Sequence, residues 1–330
     1  MLNYLPMKKK ISPFLRTAVS LLLIIVLLYI MRGRYGDIMK ALKNTDMYVF
    51  ALAFAAFMAA STVASFRMKL IIEAQGIDLT FREALSLTLI GYFFNNFLPT
   101  SIGGDVVKAH YLSKHSRDTA GSYTSIFVDR AVGLVTMVFM AFAALILAGA
   151  NIVDRGLAMT ICTITALSVM GIIFLANRKF AKKFSALIVL VKPIETQLRN
   201  LYESTDKYRR RSGLMIVALC ISVISQLFYF TCYGILALSI GSKIPVIDLL
   251  LKMPIVGMMS LLPSINGLGV REGAMVVLFG PLIGKENALA ISILMIMLLL
   301  ITSVIGGIIY ALSPQFKMKL KEIEKEGESL

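Results

Sequence analysis

Ser212–Ser242 and Asn287–Phe316 contain no Asp, Glu, Lys or Arg. Each is longer than the roughly 20 apolar residues that carry a helix across a bilayer core. Thr17–Met31, Met47–Phe66, Ala131–Val153 and Gly156–Asn177 are runs of the same kind, so the chain is expected to be an all-α polytopic membrane protein with about six spans. A soluble fold is excluded by the remainder of the chain as well. Of 330 residues, 58% are hydrophobic and 16% charged, against roughly 25% charged in soluble domains. The lysines ahead of the first run (Lys8, Lys9, Lys10) resemble a signal-peptide start, but that run ends in Tyr29-Ile30-Met31-Arg32 with no small-residue cleavage site. An uncleaved first span is expected.

Two further apolar stretches, Ala84–Gly104 and Met253–Val270, each end in a Pro- and Gly-containing break followed by charged residues and a second short apolar segment. Such interruptions are tolerated at membrane depth where protein or a wet cavity satisfies the backbone. They are read as re-entrant helical hairpins near 84–113 and 246–282. Laid over one another, Leu98-Pro99-Thr100-Ser101-Ile102-Gly103-Gly104-Asp105-Val106 and Leu262-Pro263-Ser264-Ile265-Asn266-Gly267-Leu268-Gly269-Val270 share Leu, Pro, the first Gly and the last Val, and a cation follows each. The chain is therefore read as one integral membrane domain over 1–330, holding an inverted repeat of 47–150 and 213–312. Paired interrupted segments in corresponding halves point to a transporter's binding site.

Charge sets the orientation. The net charge is +15, and the loop 177–212 holds ten Lys/Arg against Glu195, Glu203 and Asp206. Basic loops stay in the cytoplasm, so this loop, the N-terminus and the charged tail 313–330 are placed there. Arg32, Arg34, Lys40 and Lys43 fall outside on this reading and oppose it. The first hairpin then opens to the cytoplasm and the second to the exterior. Cations lying between membrane runs meet anionic lipid, so the membrane, not nucleic acid, is the expected partner. An apolar stripe within the basic loop (Phe180, Phe184, Leu187, Ile188, Val191) reads equally as a surface-lying amphipathic helix or an ordinary solvated loop.

The chemistry at the breaks suits an anion. A helix restarting in the membrane offers unpaired N–H groups and a positive dipole end, and Gly103, Gly104, Gly267 and Gly269 allow close backbone approach. Asn95, Asn96 and Asn266 add neutral hydrogen bonding. Lys108, Arg130 and Arg271 add full charge, with Asp105, Asp129 and Glu272 as their expected counterions. These thirteen residues form the candidate substrate site. Structural readings stand beside it: Asp129-Arg130 as a pair gripping a neighbouring helix, Asp105 as a helix N-cap, and Lys252 as a snorkelling side chain near the outer interface. Cys162, Cys220 and Cys232 lie in apolar runs as packing residues, and the methionines read as core filler. His110 and His115 are five apart and share no helix face, so no metal site is expected, nor any cofactor. The run Gly267–Gly273 is one residue too long for a dinucleotide fingerprint. No Walker A, HExxH or Ser/His/Asp set is present, so no enzymatic activity is expected.

Asn95-Asn96-Phe97-Leu98-Pro99, Gly103-Gly104-Asp105-Val106-Val107-Lys108, Asp129-Arg130 with Gly133-Leu134, and Leu262-Pro263 with Gly267-Leu268-Gly269-Val270-Arg271-Glu272-Gly273 resemble the lysylphosphatidylglycerol synthase membrane-domain family, also called flippase-like proteins. The resemblance spans nearly the whole chain. It implies a prokaryotic cytoplasmic membrane, movement of a lipid or lipid-linked headgroup between leaflets, and a polar path lined by Lys108, Asp129, Arg130, Arg271 and Glu272. Two departures stand out: Asp129 where many members carry Glu, and an end soon after the last span where full-length synthases continue into a soluble aminoacyl-transfer domain. A stand-alone membrane domain is expected. Two functions follow: a flippase for an anionic phospholipid or polyprenyl-linked headgroup, or a non-transporting lipid-binding partner that anchors a separate transferase. A homo-oligomer is compatible with either.

Overall fold

The structure, a computed structural model, describes residues 35–97, 103–116, 118–149, 153–176, 208, 211–260 and 267–313. The expected span Thr17–Met31, the breaks at Pro99 and Pro263, Asn266, and most of the basic loop and tail lie outside these. Among the described residues every regular element is an α-helix. In chain order they are α1 (Tyr35–Lys43), α2 (Met47–Ala74), α3 (Phe81–Phe97), α4 (Gly103–Ser116), α5 (Thr119–Ala148), α6 (Arg155–Ala176), α7 (Ser212–Ser239), α8 (Val246–Met259), α9 (Val270–Ile283) and α10 (Lys285–Leu312).

Four of these helices are long and apolar enough to cross a membrane: Met47–Ala74, Thr119–Ala148, Gly213–Ser239 and Lys285–Leu312. They correspond to four of the six expected spans. The fifth, α6, has a shorter apolar portion, Arg155–Gly171. The bundle is apolar outside as well as inside: Tyr48, Leu147, Met159, Val277 and Leu312 are all exposed, as lipid-facing side chains must be where no water drives them inward. Several buried hydroxyls donate back to their own helix, as Thr136 does to Val132 O (2.7 Å) and Thr302 to Leu298 O (2.8 Å), and so need no partner from outside it.

The longest helices outrun the sequence boundaries. α2 continues eight residues past Phe66 because its charges find partners: Lys69 pairs with Glu73 one turn on, and Arg67 with Asp129 of α5. α5 begins at Thr119, ahead of the apolar run that starts at Ala131, with Asp118 accepting the Gly121 N–H at 2.8 Å as its cap. α3 opens with a reciprocal cap in which Thr80 N–H donates to the Glu83 carboxylate (2.9 Å) and Glu83 N–H to the Thr80 hydroxyl (3.3 Å). The Thr80 hydroxyl also donates to that carboxylate and holds it below the usual range.

α2 and α7 pack along their lengths and run antiparallel. At one end Asp46 N–H donates to Ser239 O (2.8 Å), in the middle Ser225 Oγ to Ala60 O (2.9 Å), and at the other end Tyr208 Oη to Ile71 O (3.1 Å). Burial pushes the Tyr208 phenol up to about 12, so it stays a donor at neutral pH. The other helices arrange around this pair in a repeated scheme. α2 packs on α3 and α5, α3 on α4 and α10, and α4 on α5. Equally, α7 packs on α8 and α10, α8 on α9 and α5, and α9 on α10. Exchanging α2–α5 for α7–α10 turns this set of contacts into itself. Among these eight helices one further contact, α5 on α7, has no equally extensive counterpart.

Candidate functional site

The two helix pairs α3–α4 and α8–α9 and the four long helices line a cavity of about 340 Å³. That is within the range of small-molecule sites and large enough for a headgroup but not for acyl tails. Its wall contains six of the thirteen candidate residues: Asn95, Asp105, Lys108, Asp129, Arg130 and Arg271. They come from four helices, and only the fold brings the last of them to the others.

The charges are arranged in pairs across helices. Asp129 and Arg130 are neighbours in sequence but reach different helices. Asp129 accepts from Arg67 Nε of α2 (2.8 Å), and Arg67 Nη1 also donates to Ser222 Oγ of α7 (2.7 Å). Arg130 Nε pairs with the Asp105 carboxylate of α4, which Lys108 approaches from one turn further on at 3.4 Å. Asp105 thus sits between two cations. On the facing wall, Arg271 donates to Glu272 Oε1 through Nη2 (2.9 Å) and Nε (3.2 Å), both residues being buried. Each buried charge therefore has a counterion, as the cost of desolvation requires.

At each helix restart that was expected to present free N–H groups, one N–H already has a side-chain acceptor. Asn95 Oδ1 of α3 accepts the Gly104 N–H at 2.7 Å, and Glu272 Oε2 accepts the Gly269 N–H at 2.6 Å. The capping role considered for Asp105 therefore belongs to Asn95. The charged groups lining the cavity are Arg67, Lys108, Arg130 and Arg271 with the carboxylates of Asp105 and Asp129. The glycines serve packing and turns. A side chain on Gly104 would collide with the Gly91 backbone of α3, so this residue sets how closely α3 and α4 meet. Gly267 and Gly269 hold φ of +76° and +83°, a region that other L-residues rarely adopt, and Gly267 lies against Ser260 at the end of α8. Gly103, Gly104, Gly267, Gly269, Glu272 and Asn96 are not among the lining residues.

Lys252 has a counterion on its own helix. It pairs with Asp248 one turn earlier (2.8 Å), and its ammonium lies 5.8 Å from the Phe279 ring centroid. A counterion at i−4 removes the need to extend toward water.

The cavity also holds groups that sequence reading missed. Arg67 is the most consequential: it was taken as the end of a span, whereas a lone Arg followed by more helical apolar sequence (Leu70, Ile71, Ile72) was the signal for an intramembrane charge. Beside the cations stands a neutral wall. Tyr92 Oη and Ser61 Oγ share a hydrogen bond (3.2 Å), and Phe57 sits between Tyr92 and Tyr229 with centroid separations of 5.6 and 6.4 Å. Gln226 and Ser260 complete it. Nothing in the local sequence pattern marks these as lining, because a Tyr or Ser in a span reads equally as core.

Comparison with known proteins agrees with this architecture. A UPF0104 membrane protein of Methanocaldococcus jannaschii is 27% identical over 289 residues, covering 80% of this chain and 84% of its own length. A UPF0104 membrane protein of Methanothermobacter thermautotrophicus is 23% identical over 273 residues, covering 74% and 78%. The family described as the lysylphosphatidylglycerol synthase TM region matches residues 14–307. With that match extending over most of its length, the chain belongs to this family of membrane proteins.

Proposed function

We propose that the protein is a lipid flippase that carries an anionic phosphate headgroup between leaflets through the central cavity while the acyl or polyprenyl tails stay in the bilayer. The observation that carries this reading is the convergence of Arg67, Lys108, Arg130 and Arg271 from four helices on one cavity inside a lipid-facing bundle. Four cations at membrane depth are costly unless they meet an anion, and a forked guanidinium suits phosphate. Transport, not catalysis, is the activity intended, and the cytoplasmic membrane of a prokaryote is its place, with both termini inside.

The packing scheme supports an inverted repeat. α2 and α7 hold corresponding places and run in opposite directions, so their partners α3–α4 and α8–α9 follow from opposite ends of the bundle. Alternating access then comes from one helix set rocking against the other about the cavity. The alternative, an anchor that binds lipid without moving it, predicts the same cavity but no flux. Reconstitution separates the two. Proteoliposomes containing the full chain and a fluorescent anionic phospholipid are expected to exchange label between leaflets well above protein-free vesicles. Equal rates with and without protein would leave only the anchor.

A further inference from the structure

Most neutral polar side chains of the cavity wall are held by the protein itself. Ser61 and Tyr92 bond to each other (3.2 Å), Ser225 donates to Ala60 O (2.9 Å) and Ser260 to Gly257 O (2.6 Å). Gln226 is the exception. It sits at the middle of α7, half-buried in the wall, and its amide has no hydrogen-bonding partner among the described residues. Within a bilayer a Gln ordinarily bonds to a neighbouring helix, because an unpaired amide away from water is costly. Other polar residues on this face of α7 do so: Ser222 accepts from Arg67 Nη1 of α2 (2.7 Å), and Ser225 reaches α2 as well. Gln226 follows Ser222 by one turn, about 6 Å along the helix, and so stands near a guanidinium of the same wall.

We infer that Gln226 determines which headgroup the cavity accepts, selecting lipids that carry free hydroxyls beside the phosphate. The inference rests on the flippase reading above and adds the headgroup class of its substrate, a polyol. A primary amide offers two N–H donors and a carbonyl acceptor. Phosphate oxygens only accept and an ammonium only donates, so either leaves part of the amide unmatched. A hydroxyl does both. The guanidinium groups of the wall suit the phosphate, and a neutral donor and acceptor one turn away suits the hydroxyl that follows it. A headgroup entering the cavity separates the amide from water and must replace the hydrogen bonds it made there. An alkyl headgroup cannot do this, and a site built to bond a hydroxyl discriminates against the analogue that lacks it.

The test is native mass spectrometry of the full chain purified in detergent. It is equilibrated with equimolar phosphatidylglycerol and phosphatidylpropanol of identical acyl chains. Both are phosphodiesters of equal charge, and the second lacks only the hydroxyls of the glycerol. The wild type is expected to retain phosphatidylglycerol about tenfold over phosphatidylpropanol, the scale of one hydrogen bond made against one left unmade. Gln226→Met, close in shape but unable to pair with a hydroxyl, should bring the ratio to about one. Gln226→Asn keeps the amide on a shorter stem and should fall between. The wild-type ratio decides the matter even if a variant fails to fold. Equal retention of the two lipids by the wild type, or an unchanged ratio in Gln226→Met, would overturn the role of Gln226 while leaving a lipid carrier intact. Retention of neither lipid would count against the flippase reading and overturn this inference with it.

Discussion

Arg130→Ala is expected to slow leaflet exchange of an anionic phospholipid in proteoliposomes by at least about thirtyfold, while the protein still folds and inserts. Truncating one partner of a desolvated charged contact costs about 2–5 kcal/mol, and each 1.4 kcal/mol is tenfold. Arg130 is the cation best placed for this role. Its side chain is 35% exposed, the most of the ion-paired cavity cations, and it comes from α5 to meet Asp105 on α4. A phosphate entering the cavity can exchange with Asp105 on the same guanidinium. Folding should survive the change because Asp105 keeps Lys108 as a counterion. Arg130→Lys retains the charge without the fork and should fall between wild type and Ala, since a point charge does not reproduce bidentate geometry. Wild-type exchange rates in Arg130→Ala would remove this residue from the lipid path.

The second large effect is on stability. Arg67→Met leaves the Asp129 carboxylate, 14% exposed, without its guanidinium and removes the donor that Ser222 accepts. Breaking a buried ion pair from one side costs about 3–5 kcal/mol, whereas replacing both partners by apolar residues is often neutral or stabilising. Arg67→Met should therefore lower the unfolding free energy in mixed micelles by about 3–5 kcal/mol, and Arg67→Met with Asp129→Leu should recover most of it. Equal losses in the single and double variants would mean that the pair does not clamp α2 to α5 and α7. Asp129 and Arg130 are adjacent, yet one takes part in a helix clamp and the other shares a carboxylate of the cavity wall with Lys108.

That contrast also marks how far the sequence could be read. The long helices were legible because a run such as Asn287–Phe316 has one physical solution in a bilayer. The two interrupted pairs were legible for a related reason: a Pro and Gly cluster inside an apolar stretch disfavours a continuous helix. Membership of the cavity was legible for Lys108, Arg130 and Arg271, since an intramembrane cation needs an anion or water. Pairing was not. Whether Asp129 faces Arg130 or Arg67 depends on the rotation of α5 against α2, which no local pattern encodes. Asn95 was chosen as a ligand group but accepts from Gly104, because the nearest unsatisfied donor lay at the restart of α4. Arg67 was missed because a charge at the end of an apolar run was read as the membrane surface, and only the packed fold supplies the carboxylate that lets the helix run on to Ala74.

The central claim is that α3–α4 and α8–α9 enter the bilayer from opposite faces and meet around the cation-lined cavity. Sidedness of single cysteines tests it most directly. With Cys162, Cys220 and Cys232 replaced by Ala, one cysteine is placed at the exposed Asp78 between α2 and α3, or at the exposed Lys243 between α7 and α8. In oriented vesicles, a membrane-impermeant maleimide should modify Lys243→Cys from the exterior only and Asp78→Cys from the cytoplasmic face only. Modification of both from the same face would contradict the account.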